Sequence, residues 1–313
     1  MQFPSRLSPG LLVLGFLFSG YAHAELLTGL VAGPNVMNGL ITFDSATPEM
    51  TSAIKPVTGL GAAEILLGID YRPTTGELFG LGSENNLYVL NRSTGVATLR
   101  GMLMADPTDM SSPFTSLSGT SFGVDFNPVP DLAGNPSFRV VSNGGQNLRI
   151  NANNGNVFTD MDINPASSNI VASAYANNDV LPSTGTTLYG IDSVTDSLVT
   201  QMPANNGTIL ALGPLGVAVS ELVAFDISGS GVAFLAVNEV SSVTLHTVNL
   251  ATGAATPVGE IGSGLQLRGI AAAPAIPEPS TYALITLGLV GLAMKKRMLK
   301  RHEAIRARAI LTE

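Results

Sequence analysis

Three aspartates recur at one position of a short apolar stretch: Leu67-Gly68-Ile69-Asp70-Tyr71, Phe122-Gly123-Val124-Asp125-Phe126 and Val223-Ala224-Phe225-Asp226-Ile227. If one fold repeat carries all three, Asp70, Asp125 and Asp226 come to a common axis or rim. Hard carboxylate oxygens placed together suit Ca²⁺, and two of them suit a general acid and base. The plainer reading, and the expected one, is that each caps a turn or bonds backbone within its own repeat. Arg139 and Arg149 share one segment and could hold a carboxylate or sugar acid by paired N–H donors. An internal salt bridge with a neighbouring repeat is the expected use. With no Cys and three His, a zinc site built from those residues is excluded. His23 and His302 lie near the chain ends, so a Ser-His-Asp triad would have to use His246. That residue sits in a strand whose counterparts are Tyr88, Arg149 and Tyr189, which argues for a packed strand histidine. Asn143-Gly144-Gly145 and Asn205-Asn206-Gly207 read as hairpin turns, because no Lys-Ser/Thr follows either as a phosphate loop requires. The expectation is no catalytic residue and no cofactor, with Ca²⁺ the ion the carboxylates would suit.

The elements that position these residues are repeats of two kinds. The aspartate stretches, with weaker relatives Val171-Ala172-Ser173-Ala174-Tyr175 and Leu267-Arg268-Gly269-Ile270-Ala271, form one. The other is an alternating stretch that ends in a polar turn, clearest in Leu87-Tyr88-Val89-Leu90-Asn91-Arg92-Ser93-Thr94-Gly95. It recurs at Leu148-Arg149-Ile150-Asn151, Leu188-Tyr189-Gly190-Ile191-Asp192, Leu245-His246-Thr247-Val248-Asn249 and Leu40-Ile41-Thr42-Phe43-Asp44. Alternation marks strands and the Asn/Asp-Gly ends mark hairpins. From Asp44 the turn markers are spaced 47, 60, 41 and 57 residues apart, the scale of four-stranded propeller blades. The fold class is therefore all-β: a β-propeller of five blades, or six if a long spacing hides a divergent one. The last aspartate-type stretch lacks a following partner and the first alternating stretch lacks a preceding one. Together they would form a shared blade that closes the ring.

Both chain ends read differently from this body. Residues 1–24 carry Arg6, the apolar run Leu11-Leu12-Val13-Leu14-Gly15-Phe16-Leu17-Phe18 and the small-x-small site Ala22-His23-Ala24. That is a signal peptide, too short to span a bilayer, with Glu25 as the mature N-terminus. At the other end Pro277-Glu278-Pro279 precedes a mostly apolar stretch, 282–294, and the cluster Lys295, Lys296, Arg297, Lys300 and Arg301. The prolines keep the triplet extended, and the basic cluster orients a transmembrane helix with its end in the cytoplasm. Residues 25–276 hold 20 acidic and 7 basic side chains, net −13, which excludes nucleic acid as a partner. The domain reading is 1–24 signal peptide, 25–39 lead-in, 40–273 propeller and 274–313 sorting tail.

The tail resembles the PEP-CTERM sorting signal. The resemblance implies recognition by an exosortase in a Gram-negative bacterium that makes exopolysaccharide, with transient anchoring in the inner membrane and release to the cell surface or beyond. Gly68-Ile69-Asp70-Tyr71-Arg72-Pro73, followed by Thr75-Gly76-Glu77-Leu78-Phe79-Gly80-Leu81, and the run from Arg139 to Asn151 resemble a bacterial domain family of unknown function found in exported proteins. That likeness implies the architecture and brings no chemistry. The expected function is a non-catalytic surface or matrix protein whose propeller binds an envelope component such as exopolysaccharide. Signal peptidase and exosortase are its processing partners. The alternative is a secreted carboxylate-dependent hydrolase or lyase on a propeller scaffold.

Overall fold

The computed structural model describes residues 24–33, 36–178 and 184–274, together with Leu292, Lys295 and Lys296. Ala22, the Pro277-Glu278-Pro279 triplet and, Leu292 apart, the apolar stretch 282–294 lie outside the described residues. Among the described residues no helix is long and apolar enough to cross a membrane.

Five antiparallel sheets make up the body. Blade 1 runs from the axis outward as Leu66–Tyr71, Leu78–Gly82, Asn86–Leu90 and Ala97–Met102. Blade 2 is Phe122–Asn127, Ser137–Ser142, Asn147–Asn151 and Asn156–Thr159, with the short strand Met104–Ala105 added in parallel outside. Blade 3 is Ile170–Tyr175, Leu188–Asp192, Ser197–Gln201 and Ile209–Pro214. Blade 4 is Val223–Ile227, Ala233–Asn238, Val243–Val248 and Ala255–Glu260. Blade 5 joins the two ends of the body. Its innermost strand is Leu267–Ala272, and Leu26–Gly33, Val36–Asp44 and Lys55–Pro56 follow it outward. The innermost strands pack in a closed ring in blade order, so the shared closing blade and the five-blade count both stand. The 60-residue spacing hides no sixth blade. It is filled by the Met104–Ala105 strand, the connection 106–121 and the short helix Pro128–Leu132.

Inner strands such as Leu66–Tyr71 and Ile170–Tyr175 are buried along their whole length. They read as continuous apolar runs because both faces meet a neighbouring blade. Outer strands such as Ala97–Met102 are mostly exposed. The apolar core is accordingly divided into five seams, one between each pair of neighbouring blades. At one register position the five inner strands carry Gly68, Gly123, Ala172, Ala224 and Gly269. A Cβ on Gly123 would strike the Ser173 backbone nitrogen, and one on Gly68 would strike Val124. Small residues here let five backbones close on a narrow axis, where the internal void is only about 10 Å³.

The structure departs from two sequence expectations. The segment 25–39 is no lead-in: Leu26–Gly33 pairs with Val36–Asp44 on one side and Leu267–Ala272 on the other. Being buried on both faces, Leu26-Leu27-Thr28-Gly29-Leu30-Val31 shows no alternation to mark it as a strand. The repeat copy at Leu188–Asp192 is also out of phase. It forms the second strand of blade 3, whereas the other four copies form third strands. The polar turn after Asp192 simply stands one hairpin earlier in this blade.

Candidate functional site

Asp70, Asp125 and Asp226 come together. Each lies on an inner strand, of blades 1, 2 and 4 respectively, and one carboxylate oxygen from each falls within 4.8 Å of the others. All three are buried, at no more than 2% exposure. The corresponding positions of blades 3 and 5 are Ala174 and Ala271, so three blades of five contribute.

Their hydrogen bonding is unequal. Asp70 accepts from its own neighbour, the Tyr71 amide, at 2.6 Å, and from Phe126 in the next blade at 2.7 Å. Asp226 repeats this with Ile227 at 2.7 Å and, across the closing seam, Ala272 at 2.6 Å. These two aspartates thus bond backbone across blades as well as within them, a device that strand alternation cannot reveal. Asp125 differs. The Tyr175 amide and the Asp226 carboxyl approach it, yet neither of its oxygens forms a hydrogen bond of standard geometry.

Burial raises the pKa of all three carboxyls, and mutual repulsion adds to the effect at Asp70 and Asp125. Asp226 is pushed up only to about 6, because the Ala272 and Ile227 amides favour its charged form. Asp131 adds repulsion at Asp70, and Glu25 does so at Asp226. Among the described residues none of the three enters a salt bridge. A carboxyl whose pKa rises on folding binds its proton more tightly in the folded state. Its contribution is therefore greatest below the unfolded value of 3.8 and is lost as pH rises through about 6. In a chelating buffer, the unfolding free energy contributed by Asp226 should fall by roughly 2 kcal/mol between pH 4 and pH 7. Urea midpoints across that range, compared with those of Asp226→Asn, would test this. An unchanged slope in the variant would disprove it.

Arg139 and Arg149 belong to a different centre, at the seam of blades 2 and 3. Arg139 is buried, and its guanidinium donates to Asp160 at 2.6 Å, Asn147 at 2.8 Å, Asn205 at 2.6 Å and the Tyr175 hydroxyl at 3.2 Å. Arg149 donates to both oxygens of Asp160 at 2.8 Å and stacks over Phe158. The ion pair is with Asp160 at the end of the same blade. The neighbouring blade supplies the neutral partners Tyr175 and Asn205. His246 is 7% exposed, its Nδ1 donates to the Thr244 carbonyl at 3.2 Å, and burial lowers its pKa.

Sequence reading missed further buried carboxylates, Asp131 and Glu64 among them. Asp131 accepts from Arg72 Nε at 2.7 Å and from the Thr74 hydroxyl and amide, tying the short helix of blade 2 to the first turn of blade 1. Glu64 accepts from the Tyr88 hydroxyl, Asn86, and the Gly61 and Glu84 amides. Neither lies in a repeated motif, so no pattern singles it out.

A groove of about 1260 Å³ opens on the face where the body's chain begins and ends. Blade 1 contributes Tyr71, Glu77, Asn91, Arg92 and Thr94, blade 4 contributes Ser230, and the ends contribute Glu25 and Pro274.

The model of a domain of unknown function, DUF4394, matches residues 39–271, and that of the PEP-CTERM protein-sorting motif matches residues 275–297. No curated protein matches the chain. Among solved structures, TolB from Acinetobacter baumannii is 16% identical, with a TM-score of 0.42 over 80% of this chain and 67% of its own. A structural genomics protein of unknown function from Bacteroides thetaiotaomicron is 12% identical, with a TM-score of 0.45 over the same shares.

Proposed function

We propose a non-catalytic binding role for this chain, which belongs to the family of the domain of unknown function DUF4394. Its PEP-CTERM motif marks it as an exported protein, anchored transiently in the membrane and sorted by an exosortase. In this reading signal peptidase cleaves after Ala24, the exosortase acts at Pro277-Glu278-Pro279, and the released propeller binds an envelope polysaccharide.

The observation that carries the reading is the sealing of the axial carboxyls. General acid–base catalysis requires a carboxyl within hydrogen-bond reach of the scissile group. Asp70, Asp125 and Asp226 are at most 2% exposed, so their oxygens are closed to a sugar. This weighs against the hydrolase or lyase alternative. The groove supports the binding half: Glu77, Asn91, Arg92 and Thr94 offer donors and acceptors, the groups that polyhydroxylated ligands engage.

Calorimetry of the mature body against exopolysaccharide from the producing bacterium is the test. Binding is expected, and Arg92→Ala should weaken it about tenfold by removing a charge-assisted donor, with no change in Tm. Absence of binding, or new chain ends in the polysaccharide after incubation, would overturn the reading.

A further inference from the structure

We infer that the axial aspartates hold one divalent cation, Ca²⁺, which ties blades 1, 2 and 4 together at the centre of the ring. Three observations combine here. The first is geometric: for three oxygens no more than 4.8 Å apart, some point lies within about 2.8 Å of all of them, close to the 2.3–2.6 Å of Ca²⁺–oxygen bonds.

The second is the orphaned side chain. Asp125 is 1% exposed and aimed into the cluster, and both its oxygens lack a hydrogen-bond partner. Buried polar atoms without a partner are rare and signal an unseen ligand or ion. The third is charge. Each oxygen of Asp70 and Asp226 already accepts a backbone N–H, which favours the ionised form of both. A proton on Asp125 would satisfy that residue alone, whereas a divalent cation would offset the charge of all three carboxyls in this dry interior. The donors are all oxygen and all hard, which selects Ca²⁺ over the softer transition metals. The two alanines, Ala174 and Ala271, leave the ligands on three blades, so the ion would act as a cross-brace between strands that make no direct ladder with one another. This assignment is independent of any partner in the groove.

The experiment is elemental analysis of the mature body purified without chelator, together with melting curves in about 5 mM Ca²⁺ and in EGTA after refolding in each. One Ca²⁺ per chain is expected, with Tm higher in Ca²⁺ by roughly 5–10 °C. Asp125→Asn should lose both the ion and the Ca²⁺ dependence. Asparagine closely resembles a protonated aspartate in shape, so the same variant separates the two occupants. If the wild-type chain carries no metal, and Asp125→Asn melts as high as wild type in either buffer, the site holds a proton and the cation is disproved. Should that variant fail to fold, the metal content and Ca²⁺ response of the wild-type chain decide alone.

Discussion

Arg139→Ala should lower the stability of the propeller by about 3–5 kcal/mol, the cost of breaking one side of a buried ion pair. The guanidinium is 1% exposed and serves four acceptors in two blades. Its removal strands Asp160, whose side chain is 4% exposed, with Arg149 as its remaining cation, and Arg149 is 35% exposed. Asn147 is only partly protected, because Gln201 also donates to its side-chain oxygen at 3.1 Å. Arg139→Lys keeps the charge but cannot span four acceptors with one ammonium, so it should recover only part of the loss. Urea denaturation of both variants gives the answer. A loss below about 1 kcal/mol for Arg139→Ala would mean that water replaces the guanidinium, and that the seam is held by its apolar residues alone.

A chain shortened to begin at Val36 should fail to form the ring at all. Leu26–Gly33 lies between two strands of the closing blade, and Leu27, Leu30 and Val31 are buried against blades 4 and 1. Burial of such side chains is worth about 1.5–3 kcal/mol each. Adding the lost ladder bonds brings the deficit to the whole stability of an ordinary domain, about 5–15 kcal/mol. Circular dichroism and size exclusion should report an expanded, non-cooperative chain. A synthetic peptide of residues 24–33, added in excess, should restore a cooperative melt by filling the vacant place in the sheet. A shortened chain that melts cooperatively without the peptide would show that the ring closes without its clasp.

The architecture was legible in the sequence because a propeller repeats. Gly68-Ile69-Asp70-Tyr71 and Gly123-Val124-Asp125-Phe126 declare two inner strands by near identity, and spacing then gives the blade count. What escaped is whatever does not repeat. Leu26–Gly33 carries no marker residue, and in blade 3 the marker turn sits one hairpin early. The aspartates were legible as a set, but their convergence within 4.8 Å depends on how tightly five backbones close. That closeness is set by Gly68, Gly123 and Gly269, whose part in it shows only once the blades are packed. Arg139 was visible, together with Arg149, as a cation of one segment in an acidic body. Its acceptor Asp160 stands 21 residues on at the end of the same blade, and Asn205, 66 residues distant, is brought to it only by the packing of blade 2 on blade 3.

The chain leaves the ring at Ala273, directly from its innermost strand, toward the sorting motif. Any mechanical load on a tethered tail therefore enters at the axis, not at the rim. Leu267–Ala272 runs antiparallel to Leu26–Gly33, with Ala272 opposite Leu27. A pull on Ala273 alone slides one strand along the other and loads the whole ladder together. Opposed pulls on both chain ends would instead part the ladder from its Leu27–Ala272 end, pair after pair. While the tail is anchored, a load applied through Ala273 would thus meet the ladder in its stronger direction and be carried as shear through the strand that closes the ring.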